Sequence, residues 1–325
     1  MRPILRLMAA ATPSTHSNEN ASAPPLLALV GPTASGKSEL GVALARALGA
    51  EVLSLDSMLV YRGMDVGTAR LTDDERGGVP HHLENLVEPS ERYDVQRYLA
   101  DAARVESAVR TRSVPALYVG GTGLHLKALV SGLFDGPPVD RELRARLEAR
   151  AAAEGAVTLH RELCLLDPEL ARRLHPNDVR RVVRGLEVFE QTGTQLSQLQ
   201  RQWSTAARPS RLVGLLPDPS VQDTRIAART AHMFASGFVA EVERLRAHPG
   251  FGPTAAQALG YSEVLEHLDG RLAAADLAPT VTLHTRQFAR RQRTWYRHFT
   301  GIRWIPYDLP LQQRVAFALQ HLTSP

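Results

Sequence analysis

Eight residues near the start of the chain, Gly31-Pro32-Thr33-Ala34-Ser35-Gly36-Lys37-Ser38, constrain its fold more than any other stretch. They fit G-x-x-x-x-G-K-[ST], the P-loop, in which backbone N–H groups ring a phosphate and the lysine adds a compact positive charge. The motif works only between a strand and a helix, and the flanking sequence supplies both. Pro25-Leu26-Leu27-Ala28-Leu29-Val30 reads as a buried strand, and Ser38 to Leu48 as a helix with Leu40, Ala43, Leu44 and Leu48 on one stripe. A helix N-terminus then faces the bound anion, where unpaired N–H groups favour negative charge. Of the 38 Lys+Arg residues only Lys37 and Lys127 are lysines. A chain that otherwise uses arginine keeps lysine where a point charge must fit under a phosphate. The predicted fold class is α/β, a P-loop NTPase-like parallel sheet flanked by helices.

Composition narrows the setting. At 325 residues, with 44% hydrophobic and 22% charged side chains, the chain has the balance of a globular protein with one large or two modest domains. No apolar run approaches the roughly 20 residues needed to cross a bilayer, so no membrane association is expected. The single cysteine, Cys164, excludes a disulfide framework and a cysteine-based zinc site. It fits a reducing compartment, and the cytoplasm is the expected location. A net charge of +4 and a pI near 9.5 permit a nucleic-acid partner without requiring one. Residues 1–23 hold Arg2 and Arg6, no acid before Glu19, and a Thr/Ser/Asn/Ala/Pro mixture that predicts a disordered extension. A transit peptide, a dispensable extension and a start at Met8 are the readings open for it.

Further along, Gly49 suits a helix C-cap, and Glu51-Val52-Leu53-Ser54-Leu55 reads as a strand ending at Asp56-Ser57. That puts a carboxylate and a hydroxyl at the carboxyl end of a neighbouring strand, where open α/β sheets bind ligands. The turn-rich stretch from Tyr61 to Ala69 can wrap a substrate. His81-His82 invite a metal reading, but no carboxylate or cysteine lies at ligand spacing, so they read as structural loop residues. Asp94 to Arg112 has helical periodicity, and Val114 to Val119 is a strand running into Gly120-Gly121-Thr122-Gly123. P-loop nucleotidases usually carry a Mg²⁺-binding acid at that point, and here there are glycines and a threonine. Thr122 would cap the next helix, Leu124 to Ser131, with its hydroxyl toward the phosphate region.

Phe134-Asp135-Gly136-Pro137-Pro138 breaks the pattern, and from Asp140 to about Trp203 the chain is helical in pattern and rich in Arg and Glu. This predicts an all-helical insertion, residues 136–205, within a core made from residues 24–135 and 206–325. In the insertion Arg180, Arg181 and Arg184 lie opposite the stripe Val179, Val182, Val183 and Leu186. Arg211 to Leu215 returns as a strand, and Asp223 to about Arg246 is a long helix interrupted by Gly237, with Arg225 and Arg229 one turn apart. From Thr285 to Phe299, Arg286, Arg290, Arg293 and Arg297 share one helix face, with Phe288, Trp295 and Phe299 on the core side. Solvated faces normally mix signs. A row of one sign points to anion or nucleic-acid contact.

A phosphate cradle beside a carboxylate suits several chemistries: a small-molecule or nucleoside kinase with triphosphate on the loop, a transferase with a diphosphate leaving group, or an RNA-binding nucleotide switch. The chain resembles the tRNA dimethylallyltransferases (tRNA isopentenyltransferases). The matching stretches are the P-loop, Asp56-Ser57-Met58-Leu59-Val60-Tyr61-Arg62-Gly63-Met64-Asp65-Val66-Gly67-Thr68-Ala69, Pro80-His81-His82-Leu83 and Gly120-Gly121-Thr122-Gly123-Leu124. Asn177-Asp178 with Arg181 and Arg184, Ala258-Leu259-Gly260-Tyr261, Thr285-Arg286-Gln287, Arg291-Gln292 and Thr294-Trp295 follow in the family's order. Arg180, Gly185, His125 and Leu71 stand where the family usually has glutamine, alanine, tyrosine and proline. A lone cysteine excludes the zinc finger of eukaryotic relatives and fits a bacterial type.

The resemblance implies transfer of a dimethylallyl group from dimethylallyl diphosphate to N6 of the adenosine 3′ of the anticodon, in tRNAs that read codons beginning with U. The P-loop, Gly31 to Ser38, would hold the diphosphate, with Ser38 a ligand to Mg²⁺. Asp56 would accept the proton of the attacking amine, with Thr122 near the reacting groups and Arg225 offsetting charge on the leaving group. Asp56, Ser57, Met58, Leu59, Thr122, Arg180, Arg181 and Arg184 would contact the tRNA, joined by Arg286, Arg290 and Arg293. A monomer is expected.

Overall fold

The computed structural model describes residues 24–133, 136–202, 208–297 and 299–324. The expected disordered extension, Phe134-Asp135 and residues 203–207, which carry the expected edges of the insertion, lie outside the described residues. Strands β1 (Leu26–Val30), β2 (Glu51–Leu55), β3 (His81–His82), β4 (Ala116–Gly120), β5 (Ser210–Leu215) and β6 (Ile302–Ile305) form one sheet in the order β3-β2-β4-β1-β5-β6. Every pairing is parallel. The helices are α1 (Lys37–Leu48), α2 (Asp73–Arg76), α3 (Val95–Thr111), α4 (Gly123–Ser131), α5 (Arg141–Glu154), α6 (Ala156–Leu166), α7 (Pro168–Arg173), α8 (Val179–Thr192) and α9 (Leu196–Gln202). After β5 come α10 (Pro219–Ala235), α11 (Phe238–Ala247), α12 (Tyr261–Leu268) and α13 (Ala274–Arg297), and α14 (Leu311–Thr323) follows β6.

The sheet is apolar on both faces because helices cover both, so its strands read as near-continuous hydrophobic runs. Leu29, Val52, Leu117 and Val213 meet α1 and α14 through Leu40, Leu44, Ala318 and Leu322. Ala28, Leu53, Tyr118 and Leu212 meet the other helical layer through Tyr98, Leu126, Val242, Val281 and Tyr296. Register decides where chemistry can occur. Val30 pairs with Gly120 and with Gly214, and Leu55 pairs with Gly120, so β1, β2, β4 and β5 end level. The segments that follow, Gly31, Asp56 and Gly121, therefore emerge along one edge.

Between β4 and β5, helices α5 to α9 close on a core of their own that includes Leu147, Leu163, Val182 and Leu186. Its polar anchor is Glu187, fully buried, which accepts from the Asp140 amide at 3.0 Å and from Arg184 at 3.0 Å, with Arg144 as a further partner.

Several elements differ from the sequence-based expectation. Asp56 follows β2, which is not next to β1, because β4 lies between them. The histidine pair forms β3, an edge strand with His82 Nε2 2.6 Å from Glu51 Oε2, and not a loop. The interruption expected at Gly237 is there, with a φ of 86° separating α10 from α11, but α10 begins at Pro219, four residues before Asp223. Helix α13 begins eleven residues before Thr285 and carries Pro279 within its first turns.

The loop from Met58 to Ala69 is held from outside the sheet. Buried Glu241 accepts the amides of Asp65, Val66 and Gly67 at 3.0, 2.7 and 3.2 Å, and the Tyr261 hydroxyl at 2.7 Å. A Cβ at Gly67 would lie 2.3 Å from Phe238 and 2.4 Å from Tyr261, both rings buried. Gly67→Ala is therefore expected to cost ~1–3 kcal/mol of stability by overpacking, read as a lowered denaturation midpoint with an unchanged slope.

Candidate active site

The P-loop folds into an anion-binding concavity. Ala34 and Gly36 take positive φ values of 59° and 87°, which turns successive amides inward ahead of the unpaired N-terminus of α1. A positive φ at a non-glycine residue stores local strain, and such strain clusters at functional sites. The Ser35 hydroxyl is buried without a hydrogen-bond partner among the described residues, an unused donor in a loop suited to phosphate oxygens. Lys37 Nζ donates to Pro32 O at 3.2 Å. Burial pulls its pKa down to about 8, opposed by Asp56 and assisted by Arg229. Arg225 Nε donates to Ala34 O at 2.9 Å, bringing its guanidinium against the loop.

Asp56 faces this cradle across a cavity of about 410 Å³ that Lys37, Ser38, Thr122 and Arg229 also line. Of the strand between them, β4, Val119 and Gly120 line the cavity; a Cβ at Gly120 would lie 2.2 Å from Leu55 O, and one at Gly121, just past the strand, 2.7 Å from Gln292 Nε2. One Asp56 oxygen accepts the Met58 amide at 2.8 Å, which fixes the carboxylate's plane. Thr122 stands at the N-cap of α4, yet its hydroxyl makes no capping bond. It accepts the Ser57 amide at 3.2 Å and so braces the residue next to the carboxylate. Ser57, Met58 and Leu59 line the same cavity.

A sequence-family model described as IPP transferase matches residues 59–299, and one described as isopentenyl transferase matches residues 24–81. The chain belongs to the IPP transferase family. A tRNA dimethylallyltransferase of Geobacter sulfurreducens is 42% identical over 89% of this chain and 94% of its own length. The full-length tRNA isopentenylpyrophosphate transferase of Bacillus halodurans superposes with a TM-score of 0.68 at 34% identity, covering 92% and 96% of the two chains. A eukaryotic dimethylallyltransferase acting on tRNA gives a TM-score of 0.70 at 28% identity over 84% and 70%.

Two residues named from the sequence without an assigned role, Arg229 and Gln292, join the cavity of this IPP transferase. Arg229 donates to Thr33 Oγ1 at 3.1 Å and to Thr68 O at 3.3 Å, and is electrostatically coupled to Asp56. Gln292 bonds the P-loop directly, accepting the Thr33 amide at 2.8 Å. The available signals were the i, i+4 spacing of Arg229 from Arg225 and a glutamine on the buried stripe Val281, Thr285, Ala289, Tyr296. Phe288, assigned from spacing to the core face, lines the cavity instead, with the Arg291 guanidinium 5.7 Å from its ring.

The arginine row is not one free surface. Arg293 turns inward and donates to Pro217 O at 2.6 Å and Gln222 Oε1 at 3.2 Å, and burial lowers its pKa. Arg286 lies 3.8 Å from Asp223 of α10. Arg290 and Arg297 remain exposed. In the insertion, Arg180 is exposed, Arg181 pairs with Asp178 at 3.3 Å, and Arg184 is spent on Glu187 and on Pro137 O at 2.8 Å.

Lys37 gives the site a pH signature. An anion on the loop favours the ammonium, so above pH 8 binding must take up a proton and the affinity falls. Titrating pyrophosphate from pH 7 to 9.5 is expected to show weakening that approaches tenfold per pH unit above about pH 8. Lys37→Arg, charged throughout this range, should lack that component.

Proposed function

We propose that this IPP transferase moves a dimethylallyl group from dimethylallyl diphosphate to N6 of the adenosine 3′ of the anticodon, in tRNAs that read codons beginning with U. Dimethylallyl transfer to tRNA is the activity carried by its relatives' names. The observation that carries the residue-level reading is the shared cavity, which the P-loop residues Thr33, Lys37 and Ser38 line together with Asp56, Gly120 and Thr122. The N6 lone pair attacks C1 of the dimethylallyl group, the C1–O bond breaks, and its electron pair leaves on the diphosphate. Asp56 takes the proton released from N6, through the oxygen not held by Met58. The loop amides, Lys37 and Arg225 stabilise the negative charge that grows on the departing group.

The adenine must leave its stack to reach a carboxylate inside a cavity. Ser57, Met58, Leu59 and Thr122 would line its path, and exposed Arg180, Arg181 and Arg290 would meet phosphates of the anticodon stem-loop. Among the described residues no group of three or more His, Cys, Asp or Glu side chains can hold a metal ion unaided. Ser38 at the head of α1 nevertheless suits Mg²⁺, which takes few protein ligands and completes its shell with substrate phosphates and water. Bound there, the ion would neutralise part of the leaving-group charge. A kinase is disfavoured, because β4 ends in glycine where phosphoryl-transfer enzymes hold their metal-binding acid. Action in the cytoplasm as a monomer belongs to the same proposal, and sedimentation of the protein alone and with tRNA tests the second part.

Two measurements test the assignments. Asp56→Ala is expected to lower single-turnover transfer of labelled dimethylallyl to unmodified tRNA by roughly 10²-fold or more, with tRNA affinity little changed. An equal loss of both would remove Asp56 from the role of base. Arg290→Gln should weaken tRNA binding and flatten its salt dependence at unchanged thermal stability. Arg293→Gln, which breaks bonds to α10, should lower the melting temperature instead.

A further inference from the structure

Every polar group of Thr33 is held by a side chain from outside the P-loop. Gln292 Oε1 accepts its amide at 2.8 Å, Gln222 Nε2 donates to its carbonyl at 2.8 Å, and Arg229 donates to its hydroxyl at 3.1 Å. Thr33, Gln222 and Gln292 are all buried, and the bonds of Thr33 to the two glutamines are buried with them. Gln292 has a second engagement: its Nε2 donates to Gly121 O at 2.9 Å. The orientation of its amide is fixed by chemistry, because the Thr33 N–H can only donate and the Gly121 carbonyl can only accept. One side chain thus ties the loop after β1, which carries Lys37, to the loop after β4, which carries Thr122. It does so from α13, the helix that turns Arg290 and Arg297 outward.

We propose that Gln292 is a positioning residue for group transfer, setting the diphosphate cradle and the Thr122 loop in one register from the helix that faces the RNA. The inference rests on the proposed roles of the P-loop and Thr122. Although Gln292 lines the cavity, both polar atoms of its amide are engaged by loop backbone and not turned to a substrate. It acts through two loop segments, which it joins by one hydrogen bond to each. The geometry also explains why the position after β4 is glycine, since a Cβ at Gly121 would lie 2.7 Å from Gln292 Nε2 and displace the amide.

Gln292→Met keeps the volume and removes both hydrogen bonds, and Gln292→Glu keeps only the acceptor for Thr33. Each is to be assayed well below its own melting temperature, with kcat and the KM for tRNA measured separately and pyrophosphate affinity measured by calorimetry. The expected result for Gln292→Met is a fall in kcat of roughly tenfold to a hundredfold, the scale of a misplaced reacting group. Pyrophosphate affinity should fall about tenfold, as when one charge-assisted hydrogen bond to the anion is broken, while the KM for tRNA stays within about threefold. Gln292→Glu should also be impaired, because its carboxylate sets an acceptor against the Gly121 carbonyl and a new anion near Lys37. Unchanged kcat and pyrophosphate affinity in folded Gln292→Met would overturn the proposal. So would a change confined to the KM for tRNA, which would make Gln292 a direct reader of RNA. The pyrophosphate arm needs no prenyl transfer. If the wild-type protein transfers nothing yet Gln292→Met still loses pyrophosphate, the tie stands and the group-transfer reading falls.

Discussion

The site depends on keeping Lys37 and Asp56 in one cavity without letting them collapse into an ion pair. At a few ångströms and an effective dielectric near 20, such charges attract by about 4 kcal/mol, enough to pull a long lysine across the gap. Each is restrained by its own backbone bond, Lys37 to the Pro32 carbonyl and Asp56 to the Met58 amide. Among the described residues no direct salt bridge joins them, though each feels the other's charge. The level ends of β1, β2 and β4 set the separation, and Gly120 and Gly121 leave it unfilled. A diphosphate can then occupy the space where a salt bridge would otherwise form.

Support for that arrangement comes from two directions. Glu241 and Tyr261 hold the loop from Asp65 to Gly67 against α11 and α12, and Gln292, Gln222 and Arg229 hold Thr33 from α10 and α13. Buried amide and carboxylate groups of this kind are costly when left unpaired, so the helices can pack against the sheet only in the register that satisfies them. Core packing and site geometry are therefore set by the same contacts.

What was legible in the sequence follows from this division. The P-loop, the strands leading to Asp56 and Gly120, and the N-cap position of Thr122 are local patterns, each set by residues within about a dozen positions. Strands β3 and β6 were missed because two and four residues paired at sheet edges carry almost no periodic signal. The order of β2 and β4 was likewise invisible, since strand order is a property of crossovers and not of the strands themselves. The roles of Gln292 and Arg229 could not be read because their partners lie 259 and 196 residues away along the chain.

The arginines of α13 show the same limit from the opposite side. Their spacing described one helix face, but charge pattern along a single helix cannot reveal what the next helix offers. Helix α10 offers Asp223 and Gln222, and the segment before it the Pro217 carbonyl, and these divide the row into residues that hold the fold and residues that face solvent. A guanidinium suits both tasks, since its planar fork satisfies several acceptors and it keeps its charge when desolvated. Arginine count along a stripe is therefore an upper bound on its capacity for RNA. In this chain the bound is loose, because the helix carrying the outward charges also carries the inward amide that steadies the cradle, and the two duties alternate along its turns.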